Sequence, residues 1–273
     1  MVGTLAQLIA LVAHGNASLN VGYEGSDFYP FNSTFQFCNE VSFVDVKKLF
    51  KVKEIEIART PNHWFTFLKD NNCRRLSLGY SPTRNPRSPD YKLAGFVGGG
   101  GTWHIASSFS SYADYWLGRW QVTNQKARDN KIWKVTYGRV AAKEKLPKLQ
   151  TNSLSTYRDK LEHVLKQIEA FALRHNLEFW ADYFRKGLEA MTSTAPINQT
   201  YHKDLLPNTG YSLEAKQLIA AAGQAWVFGG MGSWNDLSFD DMTENKEYER
   251  LSEELYAAIN LCVEESVNSY SAS

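Results

Sequence analysis

The stretch A-A-K-E-K-L-P-K-L-Q-T-N-S (141–153) separates two parts of the sequence that have different hydrophobic periods. Before it, from residue 20 to residue 140, apolar and polar residues alternate, and this period of two is typical of strands. After it, apolar residues recur at the spacing of a helix, beginning with Leu154, Tyr157 and Leu161. The sequence therefore predicts an α+β chain with a β-rich domain over residues 1–145 and a helical domain over residues 146–273.

Six runs in the first part are predicted as strands because they alternate and are rich in aromatic and β-branched residues. They are F-N-S-T-F-Q-F (31–37), K-E-I-E-I-A-R (53–59), H-W-F-T-F-L-K (63–69), R-R-L-S-L-G-Y (74–80), Y-W-L-G-R-W-Q-V (115–122) and K-I-W-K-V-T-Y-G (131–138). The short spacing between the runs leaves little room for the crossovers that parallel strands need, so an antiparallel sheet is expected. The proline-rich segment 81–90 is predicted to be a surface loop.

The second part is predicted to contain about four amphipathic helices that pack as a bundle. Their apolar residues lie within 154–171, 177–191, a stretch that follows Ser212, and 248–262. Ser212 is a residue type that caps helix N-termini.

The N-terminal residues 1–15 are apolar enough to suggest a signal peptide, but no Lys or Arg precedes the apolar run. Leu5, Leu8, Ile9 and Val12 instead fall on one face of a helix that Thr4 would begin and Gly15 would end. Elsewhere the apolar runs fall short of the roughly 18 residues that a membrane-spanning helix needs. We expect a cytoplasmic protein without a membrane segment.

The charge is divided unevenly between the two parts, although the formal net charge of the chain is only +1. Residues 1–150 contain 20 Lys and Arg against 11 Asp and Glu, and residues 151–273 contain 10 against 18. Such asymmetry indicates either two domains that attract each other or a face that meets a charged partner.

Cofactor and metal sites are not indicated by the sequence. Cys38, Cys73 and Cys262 are far apart, without a C-x-x-C pair, and free thiols suit a reducing compartment. The six histidines show no H-x-H or H-E-x-x-H spacing. We expect neither a cofactor nor a metal ion.

The glycine-rich stretch A-W-V-F-G-G-M-G-S-W-N-D (225–236) lies between the last two predicted helices. It lacks the lysine of a phosphate-binding loop and follows a helix rather than a strand. We interpret it as an elbow in which Gly229, Gly230 and Gly232 turn the chain, the first two ending the helix through positive φ. Trp234 would then either fill the core or stand exposed as an anchor for a partner.

The stretch W-V-F-G-G-M-G-S-W-N-D-L (226–237), together with Y-E-R-L-S-E-E-L-Y-A-A-I (248–259), resembles a small helical domain of bacterial proteins. That family carries a G-G-M-G-S-x-N-D signature and resembles immunity proteins of contact-dependent toxin systems. The likeness covers about residues 154–268 and implies a binder without catalytic activity, whose partner is a cognate protein toxin.

An acidic run follows this stretch and would suit a basic toxin surface. The residues assigned to the partner-binding surface are Trp234, Asn235, Asp236, Asp240, Asp241, Glu244 and Glu247, with Glu249 continuing the run. The alternative is an ordinary helix start, where acidic side chains interact favourably with the helix dipole.

Two other functions remain open. The loop Gly98, Gly99, Gly100 and Gly101 with His104, near Ser107 or Ser108, could serve a hydrolase, although no G-x-S-x-G elbow accompanies it. Basic clusters could bind nucleic acid, a function disfavoured by the modest charge of the first part and by the absence of an RNP-like motif. These clusters are Lys47, Lys48, Lys51 and Lys53, and Arg74, Arg75, Arg84 and Arg87.

Overall fold

A six-stranded sheet and seven α-helices make up the described part of the chain in a computed structural model, which describes residues 1–20, 27–48, 52–83, 88–123, 125–147 and 153–271. The strands are β1 (Cys38–Lys48), β2 (Val52–Ala58), β3 (Arg75–Ser81), β4 (Thr102–Ser108), β5 (Ala113–Val122) and β6 (Trp133–Glu144). The helices are α1 (Gly3–Leu19), α2 (Pro61–Asp70), α3 (Asp90–Leu93), α4 (Leu154–Arg174), α5 (Glu178–Ala190), α6 (Leu213–Gln224) and α7 (Met242–Asn268). The chain is thus of mixed α+β class, with its longer helices mostly C-terminal.

The sheet has the strand order β2-β1-β6-β5-β4-β3 and is mixed rather than antiparallel throughout. β1 pairs with β6 in parallel, and the other neighbours are antiparallel. The prediction of a purely antiparallel sheet is therefore wrong at its centre. The reason is a crossover: the chain leaves β2 at one edge, passes through α2, enters β3 at the other edge and returns strand by strand to β1.

That crossover helix is the run H-W-F-T-F-L-K (63–69), which was predicted to be a strand. Thr60 caps the helix by accepting a hydrogen bond from the His63 amide, and Pro61 occupies the first turn, where a missing N–H costs nothing. Trp64, Phe65 and Leu68 are buried, and the Trp64 ring stacks on Phe43 of β1 at 4.3 Å. The apolar residues of this run fit the helical period as well as the alternating one. The cap at Thr60 and Pro61 favours the helix.

The run F-N-S-T-F-Q-F (31–37) is also not a strand. Ser33–Phe35 form a 3₁₀ turn, in which the Asn32 side chain accepts a hydrogen bond from the Thr34 amide. Phe35 is buried, whereas Phe31 and Phe37 are exposed, so the apparent alternation does not describe two faces of a sheet.

Helix α1 is buried on all sides, although it was predicted to be amphipathic. It contacts β3 and β4 of the sheet as well as α2 and α7, and a helix enclosed by other elements needs no polar face. Gly15 does not end the helix, which continues to Leu19. Its missing side chain instead allows close packing against Leu76 and Phe65.

The four helices after residue 153 surround apolar side chains such as Leu165, Phe184 and Leu255. Helix α4 packs on α5 and α7, and α6 packs on α5 and α7. One buried apolar cluster extends from these helices to the sheet. The boundary at residues 145 and 146 stays a prediction, and residues 148–152 of the proposed linker lie outside the described residues, as do 84–87 of the proline-rich segment.

Side chains from two helices close the free edge of β3. The Asn16 carboxamide donates to the Leu76 carbonyl and accepts from the Leu76 amide, both at 2.8 Å. The Asn268 carboxamide bonds both backbone groups of Leu78 in the same way, at 2.7 and 2.8 Å. Glu264 accepts from the Tyr80 amide at 3.3 Å. Each outward-facing residue of this edge strand therefore has a partner on α1 or α7.

Replacing Asn268 with alanine should lower the free energy of unfolding by about 1–3 kcal/mol, because the buried amide and carbonyl of Leu78 lose their partners. Urea denaturation followed by circular dichroism measures this change. Asn208→Ala, at an exposed position, is the matched control and should change stability by less than about 0.5 kcal/mol. Equal effects of the two variants would show that Asn268 does not hold the edge.

The second prediction concerns pH, because burial raises the pKa of Glu264 from 4.5 to about 7. Between these values the folded protein retains a proton that the unfolded chain releases. The contribution of Glu264 to stability is thus full below pH 4.5 and is lost as pH rises through about 7.

Glu264→Gln removes this titration and keeps an oxygen that can accept from Tyr80. The stability of the variant relative to the wild type should therefore increase between about pH 5 and pH 8. Urea denaturation at both pH values tests this, with the exposed Glu253→Gln as control. A difference that stays constant with pH would contradict the expectation.

Candidate partner-binding surface

The glycine-rich elbow is a folded loop held by its own polar side chains. The Asp236 carboxylate accepts a hydrogen bond from the Gly232 amide at 2.5 Å, and Asn235 donates to the Gly229 carbonyl at 3.2 Å. Gly232 has a φ of 79°, but α6 already ends at Gln224, and Gly229 and Gly230 are not in the positive-φ region. The prediction that these two glycines end the helix is therefore wrong.

Trp234 is fully buried, so it is not an exposed anchor. Its indole N–H donates to the Ser252 hydroxyl at 2.8 Å, and its carbonyl accepts from the Tyr248 hydroxyl at 2.7 Å. The ring also packs edge-on against Phe184 at 5.2 Å. Trp234 fixes the elbow to α7 and α5, and the core interpretation is the one that the structure supports.

The predicted acidic residues lie close together around the start of α7, but they have different roles. Asp241 caps the helix by accepting from the amides of Thr243 and Glu244, and these bonds lower the pKa of Asp241. Glu247 forms an ion pair with Arg174 at 2.6 Å. Glu244 lies 3.9 Å from His175, and Asp240 is exposed. Asp240 and Glu244 are thus the carboxylates of this set best placed to meet a partner.

The second glycine-rich loop and His104 do not form a common site. The Gly100 carbonyl accepts hydrogen bonds from the Tyr80 and Tyr256 hydroxyls, at 3.1 and 2.6 Å. His104 of β4 lies opposite Gly79 of the neighbouring strand β3. Its side chain is on the sheet face opposite to that of Trp103, and the Trp103 ring packs on Tyr80. Burial lowers the pKa of His104.

One of the two serines near His104 is also occupied. Ser107 is buried and accepts from the Trp116 indole at 3.0 Å. The backbone conformation explains why glycines occur in this loop, because Gly98, Gly100 and Gly101 all have positive φ. The geometry does not assemble the nucleophile, base and oxyanion loop of a hydrolase from these residues.

The glycine-rich loop 94–101 before β4 contacts the elbow 225–236, although more than a hundred residues separate the two loops in sequence. Gly95 lies so close to the backbone of Gly229 and Gly230 that a Cβ at position 95 would overlap it. Beside this contact the Tyr91 ring meets Phe228 at 6.1 Å. The elbow therefore does more than join α6 to α7, because it also docks on the loop before β4.

Large apolar side chains project from both loops into solvent, and sequence reasoning missed them. Val97 and Met231 are fully exposed and Phe96 is 64% exposed. A periodicity argument cannot find residues that belong to no helix or strand. The available signal was a large apolar residue set among glycines, which have no side chains to cover it.

Three cations of the sheet, Arg119, Lys134 and Arg139, form ion pairs. Arg119 binds Glu54 at 2.6 Å, and Arg139 binds Asp45 and Asp114 at 3.1 and 3.0 Å. Of the proposed nucleic-acid-binding residues, Lys51, Arg84 and Arg87 and the side chain of Lys48 lie outside the described residues. These pairs leave less free positive charge on the described strands than the sequence suggests.

Within the described residues no group of three or more His, Cys, Asp and Glu side chains is arranged to hold a metal ion. The same part of the chain contains no helix that is long and apolar enough to cross a membrane. Cys38, Cys73 and Cys262 are buried free thiols.

Trp234→Ala should lower the free energy of unfolding by about 3–5 kcal/mol, because it removes a fully buried aromatic side chain. Met231→Ala, three residues earlier and fully exposed, should stay within about 0.5 kcal/mol of the wild type. Thermal and urea denaturation of both variants measure the contrast. A mild effect of Trp234→Ala would contradict the structural role assigned to Trp234.

The chain has no significant match among protein-family models, curated proteins or solved structures. The resemblance of residues 154–268 to immunity proteins accordingly remains a prediction that depends on the elbow motif.

Proposed function

We propose that this protein binds a positively charged protein toxin stoichiometrically and neutralises it, as an immunity protein does. The observation that carries this proposal is the charge around the start of α7. Residues 236–254 contain eight carboxylates and two cations, and Asp240, Asp241 and Glu244 are exposed there. The helical domain proposed for residues 146–273 supplies this surface, and the sheet supports it.

The helix dipole explains only part of this charge. A helix N-terminus favours acidic side chains within its first turn, which covers Asp241 and Glu244. Glu247, Glu249 and Glu253 lie in later turns, where the effect of the dipole has faded. Glu247 pairs with Arg174 and Glu249 pairs with Lys92. The exposed Glu253 adds negative charge that attracts a cationic partner.

Contacts within the chain hold this surface in place. Asp241 caps α7, Arg174 of α4 holds Glu247, and Trp234 anchors the elbow beneath them. An acidic surface accelerates the encounter with a basic protein and selects against acidic ones. Binding of this kind inhibits by occupying the toxin and needs no catalytic residues. Buried free thiols agree with the cytoplasmic location that we propose.

The partner can be captured from the cells that make this chain, using the tagged protein as bait, and then purified. Charge reversal at two of the exposed carboxylates, Asp240→Lys with Glu244→Lys, should slow its association by about tenfold or more at low salt. The difference should shrink at high salt, because salt screens exposed charges. Asp241 is left unchanged, since its loss would fray α7.

The matched control is the double variant Glu144→Lys with Glu189→Lys. It changes the net charge by the same amount, at exposed positions on β6 and α5. Surface plasmon resonance at two salt concentrations separates association from dissociation. A toxin that associates with both double variants at the wild-type rate would remove this surface from the proposal. Capture of nucleic acid in place of a protein would argue for the basic part of the chain.

A further inference from the structure

Phe96, Val97 and Met231 are exposed apolar side chains on two loops whose backbones meet, and the three are here called the loop-junction patch. The first two belong to the loop before β4 and the third to the elbow, and the loops join where Gly95 lies against Gly229 and Gly230. Met242 is the first residue of α7 and is 71% exposed. Because seven residues make about two helical turns, Met242 lies on the same side of α7 as Glu249. Glu249 itself binds Lys92 of α3, next to the first loop.

Hydrogen bonds from buried or neighbouring side chains hold the backbone of both loops. Tyr80 and Tyr256 donate to the Gly100 carbonyl, and Asp236 accepts from the Gly232 amide. The apolar side chains therefore stand on a fixed backbone. Apolar residues grouped on a protein surface mark interaction sites more often than isolated ones do.

The charge around the patch favours a cationic partner. Asp236 is exposed and binds the Gly232 amide, next to Met231. Burial raises the pKa of the Tyr91 hydroxyl, and the charges of Tyr248, Glu249 and the exposed Glu253 raise it further. Lys92 is paired with Glu249 and Arg250 with Glu254, which leaves Lys246 as the remaining cation of 236–254.

A helix suits this patch better than an extended strand. Strand addition needs a free sheet edge, and the nearby β3 edge is already closed by Asn16, Asn268 and Glu264. A helix satisfies its own backbone and presents a row of apolar side chains. Methionine is unbranched and polarisable, so it adapts to such a row.

We infer that the loop-junction patch binds the apolar face of a cationic amphipathic helix, with the surrounding carboxylates binding the flanking lysines and arginines. This inference rests on the proposed function and adds the class of structure in the partner that the chain recognises. It also gives the two glycine-rich loops a joint role, since neither alone presents the patch.

The probe is a synthetic 18-residue peptide of lysine and leucine that forms an amphipathic helix, about the length of five turns. A peptide of the same composition, scrambled so that no apolar face forms, controls for charge. Fluorescence anisotropy in about 0.15 M salt measures both affinities. The wild type should bind the amphipathic peptide about tenfold more tightly than the scrambled one.

Val97→Ser with Met231→Ser should remove most of that preference and leave the scrambled peptide unaffected. Both positions are fully exposed, so the variant should fold. Phe31→Ser with Val52→Ser, at positions 76% and 68% exposed on other elements, is the matched control and should behave as the wild type.

Equal affinity for the two peptides, no binding, or an unchanged Val97/Met231 variant would overturn the inference. Sedimentation with anionic phosphatidylserine vesicles in place of peptide binding would also overturn it and assign the patch to membranes. These failures leave the proposed function intact, because that depends on a captured toxin and on Asp240 and Glu244.

Discussion

The closure of the β3 edge by two asparagine side chains is the constraint on which the rest of this structure depends. A carboxamide has the donor and acceptor of a peptide group, so Asn16 and Asn268 each act as one residue of a missing strand. They also fix α1 and α7 against the sheet, at sequence separations of 60 and 190 residues. Since α7 carries Tyr248, Ser252 and Tyr256, the same attachment decides where the elbow lies.

The contact between the two glycine-rich loops follows from that attachment. With α7 held along β3, Tyr256 reaches the Gly100 carbonyl and Glu249 reaches Lys92. Gly95 and Gly229 then meet without side chains between them. A basic N-terminal part and an acidic C-terminal part are thus joined mainly by buried contacts, and much of the acidic charge on α7 remains directed to solvent.

Local patterns predicted those elements that depend on local interactions. The strands β2, β3, β5 and β6 and the helices α4 to α7 have clear periods in the sequence, and Ser212 caps α6 as expected. The run 63–69 fits both periods, and only Thr60 and Pro61 ahead of it indicate a helix. The parallel β1–β6 pair, the burial of α1 and of Trp234, and the junction of the two loops all depend on contacts between distant residues. No window of sequence contains those contacts. The acidic residues of the candidate surface form a run in the sequence and were found, whereas its apolar residues belong to no periodic element and were not.

The residues that close the β3 edge are made at different times during synthesis of the chain. Residues 75–81 leave the ribosome long before residue 268 is made, and domains begin to fold from the N-terminal side as they emerge. In that interval Asn16 can already cover Leu76, whereas Leu78 and Tyr80 still present unpaired backbone groups. An open sheet edge is a template for pairing with another chain. The edge of β3 is therefore open to such pairing until α7 covers it.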